Sequence, residues 1–318
     1  MGQLLFGIDI GGTTIKIGLL DENLKVLCKT AVDNHNQIEP ADMVENIALG
    51  CEKLLNDNDI SPETVIAVGI GAPGPLDMVS GVIKSAPNLK KFKNTPVRDM
   101  ISKRLGMPAV LENDANAACW GERVAGAGAG IDDMVFFTLG TGVGGGIISD
   151  GKIVHGASGE AAEIGHVIIY PGERLCGCGQ KGCIEAHSSA TAAAAMATEK
   201  IQAGEKSSLA EIYNSNGAIT CKDVFDASAD GDKIAVEITE TVARTLGIAC
   251  VNVLHVTEPG RIVFGGGMIA AGDVFLKRIQ HYFDEYIWTM KKENVEICFA
   301  SLGSDAGMIG AAALASAL

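Results

Sequence analysis

The chain has 318 residues, 47% hydrophobic and 20% charged, a balance that suits a globular protein of more than one domain. Its 39 acidic and 25 basic side chains leave a net charge of −14 with no basic stripe, which argues against a nucleic-acid partner. No apolar run reaches the ~18 residues that span a bilayer, and the opening MGQLLFGIDIGG lacks the basic flank of a signal peptide, so the expectation is a cytoplasmic protein without a membrane partner.

In chain order, Leu4–Ile10 reads as an apolar strand, Gly11–Gly12 as a turn, and Ile15–Leu20 and Val26–Ala31 as two more strands. A helix follows over about Met43–Leu55, with Val44, Ile47, Cys51, Leu54 and Leu55 on one face. Val65–Gly71 is a buried strand that ends in the loop GAPGPLD, Gly71–Asp77. Val97–Leu105 reads as a helix, Ala109–Glu112 as a strand, and Ala115–Arg123 as a helix entered through Asn113–Asp114. The pattern then restarts: strand Val135–Leu139, glycine loop Gly140–Gly146, strand Ile147–Ser149, turn Asp150–Gly151 and a strand from Ile153. The same elements in the same order predict an internal duplication, two α/β domains that each present a glycine loop to a shared cleft. The expected bounds are 1–118, completed by a C-terminal helix over 303–318, and 119–302. Helices dominate the rest: Ser189–Ala203, Leu209–Tyr213, Lys222–Ala229, Lys233–Val256 and Val274–Trp288. Arg261–Phe264 and Val295–Ala300 read as strands, and Asp305 as the cap of a closing helix, Ala306–Ala317.

Between Glu163 and Glu185 the chain places His166, Cys176, Cys178 and Cys183 among tightly turning glycines. Three thiolates and an imidazole make a closed tetrahedral set of the kind that holds structural Zn²⁺. The other cysteines, 28, 51, 119, 221, 250 and 298, are scattered as buried thiols of an intracellular protein usually are.

In Asp9–Lys16, DIGGTTIK, a carboxylate closes a strand, two glycines turn, and Thr13 and Thr14 offer hydroxyls. Backbone N–H groups in such a turn can cradle phosphate oxygens. A strand follows the turn, so this is neither a dinucleotide fingerprint nor a Walker loop. Leu139–Gly146 offers a second cradle and Gly265–Gly267 a third glycine turn after a strand. Three such turns suit a nucleotide, with Asp9 holding Mg²⁺ through water. Asp114 at a helix start is the carboxylate to accept a hydroxyl proton during phosphoryl transfer; the plainer reading makes Asn113 or Asp114 a helix cap. Asn113, Glu163, His166 and Glu185 are of the types that bind sugar hydroxyls, and His166 can bind metal through one ring nitrogen and face a ligand with the other.

DIGGTTIK, GAPGPLD, ENDANAA (Glu112–Ala118), LGTGVGGG, EIGH and CGCGQKGCIE together resemble the ROK family of sugar kinases and repressors, over essentially the whole length. Within that family the chain looks most like bacterial glucokinases. The resemblance implies a duplicated actin/hexokinase-like (ribonuclease-H-like) α/β fold, Mg-ATP as co-substrate, a structural zinc, and a homodimer or higher homo-oligomer. It implies Asp114 as catalytic base, with Gly74, Asn113, Glu163, His166 and Glu185 on the sugar. It places Asp9, Gly11, Gly12, Thr13, Thr14, Lys16, Thr141 and Gly142 at the phosphates, Gly265, Gly266 and Gly267 at the nucleoside, and zinc on His166, Cys176, Cys178 and Cys183.

Two positions depart from the family pattern. Ala162 precedes the EIGH glutamate and Ala192 follows the SAT triplet, where glycine is usual; both are expected to change loop freedom and lower affinity without loss of the chemistry. The repressor branch carries an added N-terminal DNA-reading segment, whereas here the first phosphate loop begins at Asp9. The alternatives to a glucokinase are an N-acetylglucosamine or N-acetylmannosamine kinase, a sugar-sensing regulator without turnover, and, more distantly, a chaperone-like ATPase of the same fold class. The choice of hexose, and of ATP against polyphosphate, stays open.

Overall fold

The computed structural model describes residues 2–86, 88–288 and 294–318. Two five-stranded sheets carry it, and they share one strand plan. In the first, β1 (Leu4–Ile10), β2 (Thr14–Leu20), β3 (Val26–Asp33), β4 (Val65–Ala72) and β8 (Ala109–Asn113) lie in the order β3-β2-β1-β4-β8. In the second, β9 (Met134–Leu139), β10 (Val143–Ser149), β11 (Lys152–Ile153), β12 (Arg261–Gly265) and β13 (Glu296–Phe299) lie in the order β11-β10-β9-β12-β13. The first sheet begins with the hairpin β1–β2, the second carries the hairpin β10–β11, and each adds a parallel strand beside its first strand. This repeated order bears out the duplicated α/β fold. Contacts divide the chain into two units: one of residues up to Ile131 with Gly146–Ala162 and Ser301–Leu318, the other of Asp132–Gly145 with Glu163–Ala300.

In the first unit, β1 and β4 are buried on both faces and read as nearly continuous apolar runs, whereas the edge strand β3 alternates half-buried with exposed. Phe6, Ile8, Ile10, Ile15 and Ile17 share one core with Met43, Val44, Ile47, Cys51, Leu54 and Leu55 of helix α1 (Pro40–Asp57). The opposite face packs Leu5, Leu20 and Ala67 on Met308, Ile309, Ala312 and Ala315 of the closing helix, Ala306–Ala315, which is α10 below. That helix comes within backbone contact of the sheet and of α3 (Asp114–Ala125). A Cβ on Gly69 would stand 1.7 Å from the Ala311 carbonyl oxygen, and one on Gly310 would stand 1.7 Å from that of Ala117. Only hydrogen fits at either position.

Three local readings change. Asp305 sits at the N-cap position of the closing helix but makes no cap bond; its carboxylate takes the Lys29 ammonium at 2.6 Å. The stretch after GAPG builds a small sheet of β5 (Leu76–Asp77), β6 (Val82–Ser85) and β7 (Lys93–Thr95), where only a loop is expected to Asp77. These strands are too short and too polar for period-two alternation to show. Ala192 lies buried inside helix α5 (Ala190–Gln202), with its N–H on the Ser189 hydroxyl at 3.0 Å, so no loop freedom is at stake there.

The second unit is covered mainly by α8 (Lys233–Thr257) and α9 (Asp273–Tyr286), numbered after α4 (Ile184–Ser188), α6 (Leu209–Asn216) and α7 (Cys221–Ala229), with α2 (Val97–Leu105) in the first unit. Asp232 caps α8 by accepting from the Ile234 and Ala235 N–H groups. Phe137 and Phe264 stack at 5.1 Å between the paired strands β9 and β12. Among the described residues no helix is long and apolar enough to cross a membrane.

Gly310→Ala tests the backbone contact. Overpacking of this kind costs about 1–3 kcal/mol, so the variant is expected to melt several degrees below the parent. An unchanged melting temperature would mean that α3 and α10 are not held this close.

Candidate active site and metal centre

In the first unit the chemistry gathers at the ends of β1 and β8. The turn after β1 is tied by its own backbone: Gly11 N–H donates to Thr14 O at 3.0 Å, and Asn34 Nδ2 donates to Gly11 O at 2.6 Å. Asn88 abuts this turn, 3.3 Å from where a Gly12 Cβ would stand. Asp9 ends its strand against the first turn of α10, its carboxylate 3.0 Å from where a Gly307 Cβ would stand. Burial raises the Asp9 carboxyl above the usual aspartate range, and Lys16 opposes that rise. A bound cation would favour the ionised form. Lys16 itself donates to the Ser304 carbonyl at 2.5 Å, so its amine is engaged by the C-terminal segment.

Asn113 closes β8 and caps α3: its side-chain oxygen accepts from Ala115 N at 3.0 Å and Asn116 N at 3.1 Å. The cap reading therefore holds for Asn113, while Asp114 is the first residue of the helix and lies in the positive field of its N-terminus. Gly74 lies nearby, a Cβ there falling 3.7 Å from Asn113 Nδ2.

In the second unit the loop Leu139–Val143 is the meeting point. Gly266 has φ of 85°, and a Cβ on it would stand 2.4 Å from Leu139 O, so the Gly265–Gly267 turn lies directly on this loop. Gly165, in the turn Ile164–His166, is pressed as closely on Val143 O, at 1.9 Å. Ala190 N–H donates to Gly140 O at 2.9 Å and fastens the start of α5. Glu185 Oε2 accepts from Val143 N at 3.0 Å and crowds Gly142. Its other oxygen, Oε1, lies 3.3 Å from Cys176 Sγ. One carboxylate thus joins the glycine loop carrying Thr141 and Gly142 to the cysteine cluster.

That cluster has the geometry of a tetrahedral metal site. The ligand atoms of His166, Cys176, Cys178 and Cys183 all lie within 4.8 Å of one another. Cys178 and Cys183 sulfurs are 3.7 Å apart, and Cys176 Sγ is 3.6 Å from His166 Nδ1. Metal bonds of about 2.3 Å to sulfur and about 2.0–2.1 Å to nitrogen, at tetrahedral angles, give about 3.8 and 3.5 Å for these pairs. The residues therefore fit zinc. Burial pushes the Cys176 thiol up to about 12, whereas the Gln180 N–H draws Cys178 down; an ion would displace both protons. The loop is braced by Arg174, bidentate on Glu199 of α5 at 2.7 and 2.8 Å. Gly182 has φ of 85° and no room for a Cβ, which would stand 1.9 Å from Tyr170 O.

A model of the ROK family matches residues 5–317. The chain belongs to the ROK family. It is 39% identical over 305 residues to a glucokinase of Halalkalibacterium halodurans, covering 96% of this chain and 92% of that one. Among solved structures, a ROK family glucokinase from Streptomyces griseus in complex with glucose and AMPPNP is 35% identical with a TM-score of 0.82, covering 99% of this chain and all of that one. A ROK hexokinase from Thermus thermophilus superposes with a TM-score of 0.85 at 29% identity, over 99% of this chain and 98% of that one. The resemblance read from the motifs is thereby confirmed.

Of the two departures from the ROK pattern, only one is strained. Ala162 has φ of 65°, the left-handed region that favours glycine. The sequence also conceals three anchors. Glu112 and His155 pair at 2.7 Å. Glu122 is fully buried and accepts from Ala127, Ser301 and Leu302 N–H groups at 2.7, 3.1 and 2.8 Å. Its signal was available: Ala115, Cys119 and Glu122 share one helix face, so a carboxylate stands in an apolar stripe.

Two tests follow from this geometry. Ala162→Gly is expected to be neutral or stabilising by up to about 1 kcal/mol, while Ala192→Gly within α5 costs about 1 kcal/mol; equal effects in thermal melts would contradict the backbone assignment. Cys178→Ser is expected to lower zinc per chain, read by elemental analysis, together with the melting temperature. Purified wild-type protein without zinc would contradict the metal reading.

Proposed function

We propose that the protein is an ATP-dependent hexose kinase that transfers the γ-phosphoryl group of ATP to the 6-hydroxyl of glucose. The observation that carries this reading is the β8–α3 junction, where Asn113 caps the helix and sets Asp114 in its first turn. Phosphoryl transfer needs little covalent help from a protein beyond positioning, charge stabilisation and a proton acceptor. Asp114 accepts the 6-hydroxyl proton as the new O–P bond forms and the bond to the β-phosphate oxygen breaks, and ADP leaves. The near full-length similarity to glucokinases supports this choice of reaction.

Asn113, Glu163, His166 and Glu185, with Gly74 beside Asn113, hold the sugar. With Nδ1 of His166 turned to the sulfurs, its other ring nitrogen is the one left for a hydroxyl. Each Glu185 oxygen retains a second lone pair beyond its present partner, so it can still accept from a sugar. Gly11, Gly12, Thr13, Thr14, Thr141 and Gly142 serve the phosphates, Lys16 contributes positive charge near Asp9, and Gly265–Gly267 serve the nucleoside. Asp9 is the carboxylate that would hold Mg²⁺, and a bound ion would offset the phosphate charge. A zinc ion bound by His166, Cys176, Cys178 and Cys183 would fix the imidazole and, through Cys183, the start of α4 that carries Glu185, and no proton or phosphoryl step passes through it. ATP and hexose are met in the cytoplasm, which agrees with that location.

Glucose is favoured because its equatorial hydroxyls suit donors and acceptors of these types, and a hydroxyl left without its partner costs roughly 1–3 kcal/mol. With Mg-ATP, glucose is expected to give the highest kcat/KM, ahead of mannose and both N-acetylhexosamines by about tenfold. A tenfold preference for an N-acetylated sugar would overturn the substrate and leave the reaction standing. Asp114→Asn is expected to keep glucose and nucleotide binding within a few-fold while kcat falls by ~10²–10⁴. Wild-type turnover in that variant would reduce Asp114 to a structural residue.

A further inference from the structure

Glu112 is a buried acid at the end of an apolar strand, and no role above uses it. Its Oε1 accepts from the backbone N–H of Asn113 at 2.8 Å and from Asn116 Nδ2 at 3.1 Å. Its Oε2 lies 2.7 Å from His155 Nε2. Asn113 and Asn116 bracket Asp114 in the first turn of α3. We propose that Glu112 is a positioning residue for Asp114, one carboxylate oxygen pinning both ends of the turn that carries the base while His155 holds the other oxygen. This inference rests on the kinase reading given above.

The surroundings favour positioning over simple satisfaction of a buried charge. Asn116 is itself buried, at 3% exposure, and its side-chain oxygen has no partner among the described residues. The amide therefore spends its only bonded side on Glu112 and leaves the other side unpaired, at a cost. Turning it over would bring that oxygen against a carboxylate, so Glu112 alone fixes the orientation of Asn116. Asn113 is held twice, by its own cap bonds to Ala115 and Asn116 and by Glu112 at its N–H. The peptide plane entering Asn113 and the first turn of α3 that carries Asp114 are thus both tied down.

His155 supplies what a buried carboxylate needs to remain in place, a hydrogen-bonded partner able to carry positive charge. Its ring is partly exposed, and the segment that carries it is tied down by Val154 N–H on Ile147 O at 2.8 Å and Ala161 N–H on His155 O at 3.1 Å. The hydrogen bond to Glu112 raises the His155 pKa, with burial opposing. The reach is short: a displacement of about 1 Å in a reacting group costs on the order of 10²-fold in rate.

The test is steady-state kinetics of Glu112→Ala, Glu112→Gln and Glu112→Asp beside the parent, each normalised to folded protein by its melting transition. Glu112→Ala is expected to lower kcat by about 10²-fold with KM for ATP within about threefold. Glu112→Gln keeps a carbonyl oxygen for both donors and is expected to recover kcat to within about tenfold of the parent. Wild-type kcat per folded molecule in Glu112→Ala, or a Gln variant no better than the Ala variant, would overturn the proposal. Where Glu112→Ala does not fold, Glu112→Asp decides. It keeps the charge but withdraws the oxygen from Asn113 and Asn116, so kcat should fall at least about tenfold, and an unchanged kcat would overturn the proposal. An inactive parent would instead refute the kinase reading, independently of these variants.

Discussion

The first unit depends on a constraint of volume: helix α10 must lie with its backbone against both α3 and the central strands. Gly69 and Gly310 meet carbonyl oxygens at distances that exclude any side chain. Alanine dominates the rest of α10, and nearly every residue in it is buried. Such a helix has no amphipathic stripe to orient it, because all of its sides are covered. Its placement comes from shape, through van der Waals contact of backbone on backbone. Asp9 meets the first turn of α10, and α3 starts with Asp114, so the position of this one helix determines where two candidate site carboxylates stand.

Carboxylates organise both units through their second oxygens. Glu112 reaches Asn113 with one oxygen and His155 with the other; Glu185 reaches Val143 with one and Cys176 with the other. In each case a backbone N–H of a candidate site segment takes one side and a supporting side chain takes the other. Glu112 is buried, and a buried acid is costly to leave unpaired, so that arrangement resists partial loss; Glu185 is half-buried. Glu122 differs, with both oxygens on backbone N–H groups of its own unit.

Much of this was legible in the chain. The duplicated order of strands and glycine loops foretold the two sheets, because short continuous apolar runs and Gly turns are local signals. The metal tetrad was legible for a similar reason, since ligand type and spacing limit which side chains can converge. The pairings were not. Nothing in AVLEN tells that Glu112 turns toward His155, forty-three residues on, and nothing in DAGMIG tells that Asp305 serves Lys29 and leaves the helix uncapped. Ala192 and Ala162 look alike as Gly-to-Ala departures, yet one lies in a helix that welcomes alanine and the other at φ of 65°. Backbone dihedral is a tertiary outcome there, and residue type alone cannot distinguish the two.

The late position of α10 also has a bearing on biosynthesis. Strands β1 and β4 leave the ribosome early, and chains tend to fold as segments emerge. One face of their sheet, with Leu5, Leu20 and Ala67, is covered largely by Met308, Ile309, Ala312 and Ala315. Until those are made, a nascent chain carries an open apolar surface alongside a second unit whose own strands are already complete. The sheet face under α10 is therefore the last part of this unit to be closed.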